Sequence, residues 1–286
     1  MPEMPEVEIT KRILEKQLKF LKICKIQIFK KELRWIIKNE LKKLFLDCII
    51  LKPFRLGKYI IIPTNKNICL IIHLGMSGVL KIKIKNEKLE KHDHVKFTML
   101  DENEKKTYLI YNDPRRFGLI DYCYKNKLKY HFLLKNLGIE ALSKGLNSDY
   151  LLKKFKNKNI SIKIALLDQK IVAGIGNIYA SEILFLSKTH PLFNVKFIDA
   201  NQAIKICKSI KLILTRAIKK GGTTIKDFKN PDGKLGYFKQ QLLVYSREGK
   251  KCFVCTKIIK MINFGGRATF YCETCQKSSK EFLKEI

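Results

Sequence analysis

With 286 residues and 46% apolar content, the chain can build one large domain or two ordinary ones with real cores. Its apolar runs are short and broken by Lys, which excludes a membrane span, and its charged first twenty residues exclude an apolar signal core. The net charge of +32 points to a polyanionic partner, nucleic acid first, although Lys outnumbers Arg 50 to 8, a bias that A+T-rich coding DNA produces without selection for binding. These features describe a soluble, cytoplasmic protein or, in a bacterium, a nucleoid-associated one.

The chain opens with Pro2-Glu3-Met4-Pro5-Glu6-Val7-Glu8 and runs into a helical pattern marked by Val7, Ile13, Leu14 and Leu18. Pro5 suits the first helical position, and Glu6 and Glu8 suit the positive end of the dipole. From about Leu44 to Tyr124 the pattern turns to short β-type runs: Phe45–Leu51, Tyr59–Ile62, Cys69–Leu74, Val79–Ile84, Val95–Leu100, Tyr108–Tyr111 and Leu119–Tyr124. Turn residues separate them, as in a sandwich or barrel. A linker is expected from Leu137-Gly138 to about Ser148. Helical patterns follow at Tyr150–Phe155, Ile162–Leu167, Ile178–Leu186 and Asn201–Ile218. Val172 to Asn177 reads as a connection between helices, and Gly221 to Gln241 as a long loop.

Of nine cysteines, Cys24, Cys48, Cys69, Cys123 and Cys207 are scattered and read as reduced thiols. The other four form two Cys-x-x-Cys knuckles, Cys252/Cys255 and Cys272/Cys275, with sixteen residues between them. That spacing closes a four-coordinate, structural Zn2+ site with no open position for chemistry. Lys257, Lys260 and Arg267 lie on the intervening hairpin, where they can face phosphates. In His92-Asp93-His94, strand alternation puts both His on one face without a third ligand, so no catalytic metal is expected there.

Six segments together resemble the formamidopyrimidine-DNA glycosylase family. They are the Pro2–Glu8 start, His73-Leu74-Gly75-Met76-Ser77-Gly78, Asn112-Asp113-Pro114-Arg115-Arg116-Phe117-Gly118, Gly174-Ile175-Gly176-Asn177-Ile178-Tyr179-Ala180-Ser181-Glu182, Gly221-Gly222-Thr223-Thr224, and the four-cysteine module with Gly266–Cys272. They run in family order along nearly the whole chain. The resemblance implies a mixed α+β fold with an N-terminal β-sandwich flanked by helices, a helix–two-turns–helix domain and a C-terminal zinc-finger β-hairpin. The expected divisions are a catalytic sandwich domain at 1–137, a linker at 138–148, the helical domain at 149–241 with a lesion-capping loop at 221–241, the finger at 242–277 and a tail at 278–286.

The implied function is base-excision repair: removal of oxidised purines from double-stranded DNA, then strand cleavage, by a monomer. Removal of Met1 would expose Pro2 as a secondary amine, a good nucleophile whose imine is permanently cationic and therefore a strong electron sink. By resemblance Glu3 is the acid/base, a role that needs a carboxylic acid raised by burial. Lys58 matches the proton donor in β-elimination and Arg267 the residue assigned to δ-elimination, though a guanidinium suits a phosphate contact better. Glu6 is a second carboxylate, equally readable as a helix N-terminal charge. Met76 and Phe117 would wedge into the stack vacated by a flipped base while Arg115 meets the orphaned partner. His92, Lys158 and Asn177 would hold phosphates, with Asn177 opening a helix. Competing readings are an endonuclease VIII-like glycosylase for oxidised pyrimidines, a non-catalytic zinc protein on DNA, and an RNA-associated basic protein.

Overall fold

The computed structural model describes residues 2–223, 231 and 238–277. The chain divides into two compact units, Met1–Lys135 with Lys220–Lys239, and Asn136–Lys219 with Gln240–Ile286. Most of the expected 221–241 loop, and the whole 278–286 tail, lie outside the described residues.

The first unit opens with α1 (Met4–Leu18), which buries Val7, Leu14 and Leu18 in the core of two facing sheets. The first sheet has the order β1 (Lys22–Ile28), β6 (Asp93–Leu100), β7 (Lys106–Asn112), β5 (Val79–Lys83). The second has the order β2 (Phe54–Leu56), β3 (Tyr59–Pro63), β4 (Ile68–His73), β8 (Leu119–Tyr124). Every pairing within both sheets is antiparallel. Buried Ile23, Phe97 and Leu109 from one sheet and Ile60, Leu70 and Ile120 from the other share a single apolar cluster, the expected sandwich.

One expected strand is not there. Residues 45–51 hold the end of a helix, α2 (Glu40–Phe45), followed by isolated bridges at Ile49 and Ile50. Leu41 and Phe45, four residues apart, bury the same helical face, and a short apolar run cannot by itself distinguish that pattern from a strand. β1 is a strand without a clear sequence signal, because Lys22, Lys25 and Gln27 interrupt its apolar pattern.

In the second unit β9 (Ile139–Glu140) pairs in parallel with β10 (Val172–Ala173). Around them lie α3 (Ser148–Phe155), α4 (Ile162–Leu167), α5 (Asn177–Leu186) and the twenty-residue α6 (Ala200–Lys219). Asn147 and Ser161 cap α3 and α4 by accepting from the backbone N–H groups of Tyr150 and Ile164. The hairpin β11 (Lys260–Phe264) and β12 (Arg267–Tyr271) carries the finger. Among the described residues no helix is long and apolar enough to cross a membrane.

Candidate active site and nucleic-acid interface

Pro2 and Glu3 are buried where α1 begins, with Glu3 as the helix N-cap. Glu6, at the third helical position, closes a capping box: its Oε2 accepts the Glu3 N–H at 2.9 Å. Its Oε1 accepts the N–H of Thr223 at 2.8 Å. A side chain read as a helix-end charge thus ties the first turn to a segment 217 residues away. Lys58, also buried, sits on the two-residue turn between β2 and β3, where Gly57 supplies a φ of +56°. Arg55 fixes that turn by donating to the Gly57 carbonyl at 2.8 Å and to Glu8 on α1 at 3.0 Å. The Glu8 carboxyl, pushed up by burial, is pulled below its ordinary value by Arg12, Lys11 and Arg55.

His73 ends β4 beside this group. Burial first, then the charges of Lys58 and Arg34, push its pKa down to about 4, so the ring is neutral at physiological pH. Its Nδ1 accepts the Gly75 N–H at 3.0 Å, which puts the proton on Nε2 and bends the chain into the Met76 turn.

Met76, Arg115 and Phe117 stand exposed on two adjoining turns of the same unit. The Arg115 guanidinium lies 4.8 Å from the centre of the Phe117 ring. Beneath them Asp113 is fully buried; its Oδ1 accepts from Ser77 Oγ at 2.6 Å and its Oδ2 from the Gly118 N–H at 2.8 Å. His92 is half-buried with φ +73°, and its ring centre lies 6.4 Å from that of His94, whose Nε2 lies 2.8 Å from the Asp113 carbonyl oxygen. His94 is thus engaged with backbone.

In the second unit Asn177 opens α5 after Gly176. Its side-chain amide donates to the Ala268 carbonyl at 2.9 Å, which sets it against the strand that begins with exposed Arg267. Gly265 and Gly266, with φ +58° and +70°, make the two-residue turn before Arg267. Lys158 lines a hollow of about 830 Å³ with Lys153, Lys156 and Lys196, and among the described residues no acidic one lines it.

The four module cysteines converge, with all Sγ atoms within 4.8 Å of one another. Cys252–Cys275 and Cys255–Cys272 are separated by 3.9 and 3.4 Å. A tetrahedron with Zn–S bonds of about 2.3 Å has edges of about 3.8 Å, so the donor set fits one zinc ion. Cys252, Cys255, Cys272 and Cys275 would hold it, and its contribution is structural.

Glu182 and Lys163, both buried, carry no role that the sequence shows. Glu182 on α5 accepts the N–H groups of Leu243, Val244 and Tyr245 at 2.8, 2.9 and 2.8 Å, anchoring the chain that enters the finger. Lys163 on α4 donates to Ser181 Oγ at 2.7 Å and to the Asn177 carbonyl at 3.2 Å. Glu182 lies in the 174–182 segment, which gives it no role by itself; Lys163 is a lone charge in an apolar helix, and that anomaly is its only sequence signal.

Three family models match in order: the formamidopyrimidine-DNA glycosylase N-terminal domain over residues 1–120, the H2TH domain of the same enzymes over 137–229, and the zinc finger found in FPG and IleRS over 249–277. The formamidopyrimidine-DNA glycosylase of Rickettsia bellii is 44% identical over 278 residues, covering 97% of this chain and 100% of its own; that of Rickettsia canadensis is 44% identical over 276 residues, covering 96% and 99%. Lactococcus lactis Fpg in complex with abasic-site DNA superposes with a TM-score of 0.89 at 32% identity, covering 97% of this chain and 100% of that one. The same Lactococcus protein with DNA containing N7-benzyl-Fapy-dG gives 0.89 at 33% identity and the same coverage. With those domains in that order, and with relatives of this identity along their full length, the chain belongs to the formamidopyrimidine-DNA glycosylase family of base-excision-repair enzymes, glycosylases with abasic-site lyase activity.

Proposed function

We propose that the chain excises oxidised purines, 8-oxoguanine and formamidopyrimidines, from duplex DNA through a Schiff base on Pro2 and then cuts the strand by β,δ-elimination. The observation that carries this reading is the start of α1, where Pro2 and Glu3 are buried together and Glu6 holds the Glu3 backbone. A disposable N-terminus would be exposed and untethered. Once Met1 is removed, the Pro2 nitrogen attacks C1′ and the C1′–base bond breaks. Glu3 protonates the ring oxygen as the sugar opens to the iminium. The iminium acidifies C2′–H; loss of that proton expels the 3′ phosphate, with Lys58 as proton donor. A second elimination releases the 5′ phosphate, where Arg267 holds the departing oxyanion.

His92, Lys158 and Asn177 grip backbone phosphates, and Met76, Phe117 and Arg115 occupy the space of the extruded nucleotide. The lysine-lined hollow at Lys158 and the open turn at Arg267 support the phosphate contacts. Lactococcus Fpg has also been solved with DNA containing an oxidised pyrimidine, which keeps a pyrimidine lesion as a second substrate.

Borohydride trapping on matched purine- and pyrimidine-lesion duplexes tests the reading. The free-Pro2 enzyme becomes covalently attached through Pro2, most rapidly on oxidised purines, while a form that retains Met1 binds without cutting. Full-rate cleavage by the blocked form, or trapping on a lysine, overturns the mechanism; faster trapping on pyrimidine lesions overturns the substrate.

A further inference from the structure

The Met76 turn and the Arg115–Phe117 turn come from different parts of the first unit, yet they meet backbone to backbone. A Cβ added to Gly75 would stand 2.3 Å from the Phe117 carbonyl carbon and 2.4 Å from the Gly118 nitrogen. Two side chains stitch the contact. Ser77 Oγ donates to Asp113 Oδ1 at 2.6 Å and accepts the Arg115 N–H at 3.1 Å, so one hydroxyl bonds across the turns in both directions. Asp113 Oδ2 accepts the N–H of Gly118, on the far side of Phe117, at 2.8 Å. The Tyr111 hydroxyl lies 3.3 Å from the same oxygen and 3.4 Å from the His73 carbonyl, where the Met76 turn begins. Burial holds the Tyr111 pKa well above its ordinary value, aided by the Asp113 charge, so its proton stays available for donation. The bonds to Asp113 are charge-assisted and shielded from water, and Ser77 and Asp113 are 3% and 0% exposed.

We propose that Ser77 and Asp113 are positioning residues that lock these two turns into one rigid wedge, so that Met76, Arg115 and Phe117 enter the duplex together. Neither residue touches the reacting atoms, and the proposal rests on the wedge role given above to the three exposed side chains. Prying a base out of its stack requires the filler to arrive in register with the opening gap, and a side chain already held in place loses less freedom on insertion. A turn that had to order itself during extrusion would slow base excision. Cleavage at a preformed abasic site has no base to unstack and depends less on the wedge.

The test compares single-turnover excision from an 8-oxoguanine:C duplex with strand cleavage at a preformed abasic site, using full-length enzyme with free Pro2. Ser77→Ala and Asp113→Asn are expected to slow excision about tenfold, the scale of one lost buried hydrogen bond, while abasic cleavage stays within about twofold. Because Asp113 is buried and fastens both turns, its substitution also tests folding, and Ser77→Ala decides. In a Met76→Ala background Ser77→Ala should cost less than it does alone, because one of the three groups it positions is already gone. Equal slowing of both reactions, unchanged excision by Ser77→Ala, or full additivity with Met76→Ala overturns the proposal. If Met76→Ala and Phe117→Ala themselves excise at the unmodified rate, the wedge reading falls and the proposal with it. Trapping on Pro2 would survive that result, which separates this failure from failure of the mechanism.

Discussion

Arg115 and Arg267 are both presented to solvent next to glycine-bearing turns, and the two turns are held by different means. Around Arg115 the glycines create space: a Cβ on Gly118 would meet the Tyr111 hydroxyl at 1.7 Å and the His73 carbonyl at 2.6 Å. Around Arg267 they supply backbone angle: among the described residues nothing lies within 4 Å of a Cβ on Gly266, and only Ile164 atoms, at 3.9 and 4.0 Å, approach one on Gly265. The first turn is fixed by a buried carboxylate and close packing over a sandwich core. The second belongs to a small apolar cluster of Phe185, Val244, Cys252, Ile259, Phe270 and Cys272, which two cysteines of the metal site help to form. Rigidity in the first region is therefore a property of the folded chain; in the second it depends on zinc and on the Glu182 anchor.

Removing zinc should produce the largest contrast. Chelation, or Cys272→Ala with Cys275→Ala, is expected to abolish amide-exchange protection in β11 and β12 and leave β6 and β7 protected. Protection that survives in a metal-free hairpin would erase the distinction. Next in size, Gly118→Ala should cost about 3 kcal/mol in chemical denaturation, because the new methyl must displace the Tyr111 hydroxyl or a backbone carbonyl. A cost under about 0.5 kcal/mol, an ordinary surface effect, would show that the Arg115 region relaxes freely.

Glu182→Gln should cost about 2 kcal/mol, since an amide has one accepting oxygen and three backbone N–H groups converge there. It should also speed zinc release to a chelator. Unchanged melting together with unchanged release would remove Glu182 as the anchor.

His73 gives the first region a pH dependence. Its folded pKa, about 4, lies below the ordinary 6.5, so the unfolded chain binds a proton that the folded chain refuses. Its contribution to stability is complete above about pH 6.5 and is lost as pH falls toward 4. His73→Asn keeps an acceptor for the Gly75 N–H and removes the titration, so the melting temperature of the variant should fall less between pH 7 and pH 5. Parallel curves would mean that His73 is not the source. Smallest of all, Gly265→Asn should change stability by less than about 0.5 kcal/mol, because Asn tolerates a left-handed φ and nothing crowds the site. A large loss would mean that the finger turn is packed like the other one.

What the sequence revealed and what it withheld divide along a physical line. The cysteine spacing, the strands from Tyr59 to Tyr124 and the helices of the second unit were legible because each signal lies within a few residues. The motif segments marked which residues to place, and the structure sets Asn177 against the Arg267 strand within its unit and Lys58 on a turn tied to α1. The roles of Ser77, Asp113 and Glu182 were not legible, although all three lie in segments that carry the family resemblance. The bonds that define those roles, Ser77 to Asp113 and Glu182 to residues 243–245, span 36 and 61 or more residues, and only strand register and helix packing bring them together. The residue 45–51 segment failed for the opposite reason, being too short for periodicity to choose between helix and strand.

The bond between Glu6 and Thr223 has a consequence for the order in which the protein is made. Glu6 leaves the ribosome 217 residues before Thr223, whose N–H it accepts. The first unit is discontinuous, completed by Lys220–Lys239 after the chain has built four helices of the other unit. Until then the sandwich can fold around α1, but the Glu6 carboxylate lacks the Thr223 N–H. A nascent or truncated chain therefore carries Pro2 and Glu3 on an unfinished scaffold. Completion of that scaffold is a late event of synthesis, set by the longest-range hydrogen bond described in the molecule.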